Sequence, residues 1–256
     1  MNILLTNDDG IYAPGLAALY AHLAPEHSVA VIAPEREQSA VGHGITLNEP
    51  LRAHKVSIPN AFEGYAVSGT PADCIKFGVL EFLETKPDLV ISGINPGANV
   101  GVNINYSGTV AAAKEAAMYG IPAIAVSVHS RQVESYDAAA VFITQLARDV
   151  HASGLPAGTF LNVNIPNRSL AEIAGVQFSR LDMDFFPEYI EKRMDPRHRT
   201  YYWQGCDSLP QGKSIDIDGS ALCQDFISIT PIKCDQTDYD VLEEMKNGKF
   251  LKQHKN

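Results

Sequence analysis

No apolar run in this chain approaches the roughly 18 residues that a membrane-crossing helix requires, so no membrane span is expected. Positive charge is scarce as well. Lys and Arg total 20 against 30 Asp and Glu, a formal net charge of −10. That balance excludes broad duplex-binding surfaces, which are built from stripes of Lys and Arg. It leaves small phosphorylated substrates open, because a metal ion and backbone N–H groups supply local positive potential. Cysteine is sparse: Cys74, Cys206, Cys223 and Cys234 show no CxxC spacing, so a zinc site is not expected and the four read as free thiols in a reducing cytoplasm. The N-terminus has no basic stretch ahead of its first apolar run, so no secretory signal peptide is expected. Internal repeats, a low-complexity linker, the GxxxxGK[ST] of a Walker loop and the GxSxG of a nucleophile elbow are also missing. What remains is 256 residues of ordinary globular composition, enough to bury a full core.

The order of elements gives the fold class. Ile3-Leu4-Leu5 is a short apolar run of the kind that forms a fully buried strand. Pro14 to Leu23 carries Leu16, Leu19, Tyr20 and Leu23 at helical spacing, and Val29 to Pro34 is a second buried strand. Strand, helix, strand is the start of a parallel sheet. Ile45 to His54 and Ala61 to Ser68 read as an extended pair. Thr70-Pro71-Ala72-Asp73 opens a helix reaching about Leu83, with Thr70 as N-cap. Further strands are expected at Leu89–Ile94, Ala123–Val128 and Phe160–Pro166, with helices at Val110–Tyr119 and Tyr136–His151. The expected architecture is α/β: a Rossmann-like, mostly parallel sheet flanked by helices in three layers. Character changes after Ser179. The division expected is a core over residues 1–179 and a C-terminal elaboration over 180–256, with a late strand at Phe226–Ile232 returning to the core and a short helix over Asp240–Phe250. Arg180 to Asp218 carries no strand or helix pattern. Its aromatics, Phe185, Phe186, Tyr189, Tyr201, Tyr202 and Trp203, need a surface to bury against, which an oligomerisation arm would supply.

Several stretches carry chemistry. Asp8-Asp9 follows the first strand, at the end of an α/β sheet where ligands bind. Adjacent acids serve equally well as a solvated turn or a helix cap. After a buried strand, however, two like charges this close call for a divalent cation. Ser39 and His43 lie in the loop that leaves the second strand. Asn95, at the end of the strand Leu89–Ile94, offers a neutral oxygen ligand or an Asx-turn, and the same choice holds for Asn99. Ser107-Gly108-Thr109 opens a small-residue helix, a start suited to binding an anion or simply to N-capping by Ser107. Together these give an oxygen-only ligand set, suited to Mg²⁺, Mn²⁺ or Ca²⁺, beside a phosphate cradle. That combination points to metal-assisted phosphomonoester hydrolysis, with Asp8 or Asp9 handling the proton of a water or Asp8 attacking directly.

The same residues resemble the SurE (survival protein E) family of metal-dependent 5'/3'-nucleotidases. The matching text is Asn2-Ile3-Leu4-Leu5-Thr6-Asn7-Asp8-Asp9-Gly10, Ala33-Pro34 with Ser39, Gly69 to Cys74, Ser92 to Asn99 and Tyr106 to Ala113, with weaker echoes at Asn162–Pro166, Ser228–Pro231 and Thr237-Asp238. The resemblance implies metal ligation by Asp8, Asp9, Ser39 and Asn95 and a phosphate site around Ser107, Gly108 and Thr109. It implies hydrolysis of nucleoside 5'- and 3'-monophosphates, and of short polyphosphate by some members. It also implies a C-terminal arm exchanged between subunits of a dimer or tetramer. No role for His43 is inherited from it, and Arg180 to Leu222 matches poorly.

Three rival readings compete on the same residues. A receiver-type signalling domain also has an acidic pair after its first strand, but its phosphoacceptor Asp would fall at Gly93. A haloacid-dehalogenase-type phosphatase needs DxDx[TV], which adjacent acids do not satisfy. A non-catalytic nucleotide-binding module is separated from an enzyme by assay.

Overall fold

Why the first apolar run is buried on both sides is plain from its neighbours. In the computed structural model, which describes residues 1–184, 188–206 and 214–248, β1 (Asn2–Thr6) lies between parallel partners β2 (Ser28–Pro34) and β5 (Leu89–Pro96). Successive side chains on a strand point to opposite faces. Ile3 and Leu5 therefore enter one apolar cluster, with Leu16, Leu19 and Leu23 of α1 (Pro14–Leu23) and Ile143 and Ala147 of α4 (Asp137–Ser153). Leu4 enters the other, with Ile75 of α2 (Pro71–Phe77) and Ala112, Ala113 and Ala116 of α3 (Gly108–Met118). Both faces of the sheet are covered, and each fully buried Leu or Ile contributes about 1.5–3 kcal/mol.

Among the described residues the sheet has nine strands, in the order β3 (Ala53–Ile58), β4 (Phe62–Val67), β2, β1, β5, β6 (Ala123–His129), β7 (Thr159–Pro166), β11 (Phe226–Lys233) and β8 (Gly175–Phe178). Its parallel centre runs from β4 through β6 to β7. One outer edge is β3, antiparallel to β4. At the other side β11 pairs antiparallel with β7 and parallel with β8. The layered α/β architecture expected from the sequence is therefore present.

The differences have local causes. The extended segment expected from Ile45 becomes a strand only at Ala53, because its ladder partner β4 ends opposite Ala53 at Val67. The helix expected to reach Leu83 is α-helical to Phe77 and finishes as a π-helical turn, Gly78–Phe82. Within Arg180–Asp218 the structure has a hairpin, β9 (Glu188–Met194) with β10 (Thr200–Cys206), and the start of α5 (Asp218–Cys223). Every residue of β9 is exposed, so it carries no inside–outside alternation to read. This hairpin forms the C-terminal arm. Tyr189, Tyr202 and Trp203 are 51, 60 and 58 % exposed on it. Phe185 and Phe186 lie outside the described residues. So does Phe250, where the last helix was expected to end; α6 covers Tyr239–Lys246.

Among the described residues, no helix is long and apolar enough to cross a membrane, and Cys74, Cys223 and Cys234 are free thiols.

Candidate active site

The turn after β1 is built by Asn7. Its side-chain amide donates to the Gly10 carbonyl at 3.0 Å, and its Oδ1 accepts from the Gly10 N–H at 3.1 Å. This closes the turn and turns Asp8 and Asp9 outward at the carboxyl end of the sheet. The loop after β2 is tied to it directly, the Gln38 N–H donating to the Asp8 carbonyl at 2.7 Å. That bond places Ser39 beside the acidic pair. β5 delivers Asn95, after Gly93 with φ of +140°, where an added Cβ would overlap the Val126 carbonyl. Asp8, Asp9, Ser39 and Asn95 thus line one cleft of about 590 Å³, together with Asn99 and Ser107.

The two aspartates differ in their surroundings. Asp8 is held firmly: its Oδ1 accepts from the Thr109 hydroxyl, and the backbone N–H groups of Thr109 and Gly108 also reach its carboxylate. Burial raises its pKa, and those hydrogen bonds oppose the rise. Asp9 has no such support. Burial, then the charges of Asp8 and Glu37, push its carboxyl up to about 7. Its Oδ2 is buried and has no hydrogen-bond partner.

Those facts test whether a hard cation fits. An orphaned buried carboxylate oxygen beside a second carboxylate is costly without a counter-charge. Ser39 adds a hydroxyl oxygen, now donating to Glu37. Asn95 donates its amide N–H to the Gly97 carbonyl at 2.7 Å, which leaves Oδ1 as a ligand atom. The donors are all oxygen, two charged and two neutral, as Mg²⁺, Mn²⁺ or Ca²⁺ require. Among the described residues no group of three or more His, Cys, Asp or Glu gathers in metal-binding geometry, so this site depends on its neutral ligands. The residues fit the ion.

The start of α3 has a more particular role than its sequence suggested. Ser107 caps the helix, accepting from the Val110 N–H at 3.2 Å, and lines the cleft. Gly108 and the fully buried Thr109 hold Asp8 instead of lining the cleft. A Cβ at Gly108 would sit 2.8 Å from the Asp8 Cβ, so glycine is required by the close approach. The anion at this helix N-terminus is the protein's own carboxylate.

Asn99 is fixed from below. Its N–H donates to Asn164 Oδ1 at 2.8 Å, and its carbonyl accepts from Asn162 at 2.8 Å and Asn164 at 2.9 Å. Its own amide donates to Ser127 at 2.8 Å.

Four contributors were not singled out from the sequence. Arg131, Glu37 and Tyr106 line the cleft, and Glu115 supports it. Arg131 lies just beyond β6, at the ligand-binding end of a parallel strand, a position that could have flagged it. Glu115 gives no sequence signal: it is a buried acid on a helix of small residues. Its carboxylate meets His43 Nε2 at 2.6 Å and Lys76 Nζ at 2.9 Å. Burial raises the Glu115 pKa, but hydrogen bonds from His43 and Lys76 outweigh it and leave the group lowered. His43 therefore pins the Ser39 loop to α3. The Gly42 N–H adds a bond to the Tyr106 carbonyl at 2.9 Å.

Comparison with known proteins gives the family. Residues 3–187 match the family model described as survival protein SurE. A protein named 5'-nucleotidase SurE from Desulfatibacillum aliphaticivorans is 54% identical over 98% of this chain and 100% of its own length. One of the same name from Syntrophobacter fumaroxidans is 48% identical over 96% of this chain and 98% of its own. The crystal structure of the SurE protein from Aquifex aeolicus superposes with a TM-score of 0.85 at 37% identity, covering 98% of this chain and 100% of that one. Matched by the family model over most of its length and by these relatives nearly end to end, the chain belongs to the SurE family.

Proposed function

We propose that this protein is a divalent-metal-dependent phosphomonoesterase that hydrolyses nucleoside 5'-monophosphates to nucleoside and phosphate. The same chemistry extends to 3'-monophosphates and short-chain polyphosphate. The observation that carries the reading is the orphaned, buried Oδ2 of Asp9 beside Asp8 in a cleft shared with Ser39 and Asn95. Its support from outside is the name 5'-nucleotidase on relatives of 54 and 48% identity.

Asp8, Asp9, Ser39 and Asn95 would hold one Mg²⁺ or Mn²⁺, with Ca²⁺ also suited to the oxygen set. When bound, such an ion supplies Lewis acidity and charge neutralisation at a phosphoryl oxygen. The chain's own groups do the rest. Asp8, immobilised by Thr109 and the α3 backbone, orients the reacting groups. Asp9 takes the proton of the attacking water. Asn99 and Ser107 bind the equatorial phosphoryl oxygens, with Gly108 and Thr109 setting the shape of that wall. Self-association as a dimer or tetramer through the β9–β10 arm belongs to the same reading, since an isolated two-stranded hairpin is marginal in water.

The test is phosphate release by the purified protein from nucleoside 5'- and 3'-monophosphates and tripolyphosphate, with Mg²⁺, Mn²⁺ or Ca²⁺. Activity that depends on the metal and falls at least about a hundredfold in Asp9→Asn supports the reading. No release from any nucleotide under any metal refutes it.

A further inference from the structure

Beside the catalytic cleft lies a second one of about 350 Å³, within the size range of small-molecule sites. The two share Asp9, Glu37, Pro96 and Arg131, so they adjoin at Asp9. Their walls differ. The catalytic cleft is lined by serine, asparagine and glycine, with Tyr106 as its one aromatic. The side cleft has Tyr12, 69 % exposed, Tyr136, Pro14 and Pro96. Asp9, Glu35, Glu37 and Arg131 supply its charged surface. Arg131 stands at the boundary, exposed, and has no hydrogen-bond or ion-pair partner among the described residues.

This division matches the two halves of a nucleotide. Each cleft carries three carboxylates, but the ion proposed above would offset Asp8 and Asp9 in the catalytic cleft, whereas Glu35 in the side cleft is not one of its ligands, so the side cleft favours an uncharged nucleoside over a phosphate dianion. A base has a π-face for a tyrosine to stack on. Ribose hydroxyls donate to carboxylates, and Glu35 and Glu37 are acceptors. An unpaired guanidinium at the boundary is placed to take the phosphate, in the fork geometry arginine favours.

We propose that the side cleft is the nucleoside subsite, with Tyr12 stacking on the base, Glu35 and Glu37 accepting from the ribose hydroxyls, and Arg131 at its mouth gripping the phosphate. The proposal rests on the nucleotidase reading above and adds where the leaving group sits and what recognises it.

Adenosine and inorganic phosphate, tested separately as competitive inhibitors of metal-loaded enzyme, read the two halves independently. Tyr12→Ala should raise the inhibition constant of adenosine about 5- to 100-fold, the range for a lost base–aromatic stack, and leave that of phosphate within twofold. Arg131→Gln should do the reverse. An adenosine constant unmoved in Tyr12→Ala, or moved by Tyr106→Ala in its place, overturns the proposal. Adenosine binding by saturation-transfer NMR needs no turnover. If the wild type releases no phosphate, the nucleotidase reading fails. The subsite then stands or falls on whether Tyr12→Ala abolishes the adenosine signal.

Discussion

Asp9→Asn should make the metal-free protein more stable, and the gain should grow with pH. The Asp9 carboxyl titrates near 3.8 in the unfolded chain and about 7 in the fold. Between those values the folded state holds a proton that the unfolded state has lost. Stability of the metal-free protein therefore falls as pH rises from about 4 to 7 and is level above that. Each tenfold step in proton affinity is worth about 1.4 kcal/mol, which gives roughly 4 kcal/mol across the window. Solvent at the open side of the cleft screens part of it, leaving about 2–4 kcal/mol. In a domain of this size that is a melting-point difference of about 5–10 °C. Thermal unfolding of wild type and Asp9→Asn, in chelator, from pH 5 to 8, isolates the effect, because other titrations are common to both. At pH 5 about a third of the separation should already be present, and the whole of it by pH 7.5, with Asn higher. Adding Mn²⁺ should stabilise the wild type strongly and Asp9→Asn weakly. Melting points of the two metal-free proteins that stay parallel across the range would refute the claim that Asp9 is a buried carboxylate awaiting a counter-charge.

Gly108→Ala should keep the fold, alanine being the better helix former, yet displace Asp8 and cut kcat about a hundredfold; helicity by circular dichroism and steady-state rates separate the two effects. Glu115→Ala removes the carboxylate that pairs with His43 and Lys76 and should cost about 1–3 kcal/mol in urea unfolding. Because the Glu115 pKa is lowered from 4.5, its contribution is complete above that pH and is lost as pH falls below it, so the cost should shrink in acid. Asp218→Ala strands the N–H groups of Gly101, Asp182 and Gly219, which donate to that carboxylate at 2.7, 3.1 and 2.8 Å; a loss of about 3 kcal/mol is expected from the same assay. Truncation after Ser179 removes β11 and should give aggregated protein, not a monodisperse monomer, by light scattering.

The central sheet was legible because its strands are buried on both faces and read as continuous apolar runs, as at Ile3–Leu5 and Leu89–Ile94. The acidic pair, Ser39, Asn95, Asn99 and Ser107 were legible as candidates because each follows a predicted strand or opens a predicted helix. Their division of labour was not. That Thr109 turns inward to Asp8, or that Glu115 anchors the Ser39 loop, depends on contacts 101 and 72 residues apart. The β9–β10 hairpin was illegible because solvent on both sides leaves no period. α5 escaped because six residues are too few for one.

The place of β11 has a consequence for synthesis. It inserts between β7 and β8, yet it follows the end of β7 by 60 residues. At about 5–20 residues per second, the outer edge of β7 leaves the ribosome some 3–12 seconds before its partner exists. For that interval the nascent core carries a bare edge of apolar residues, Phe160, Leu161, Val163 and Ile165, open to pairing with any strand that arrives first. The yield of folded protein is thus set by a race between translation of the last third of the chain and capture of that edge by a neighbouring polypeptide.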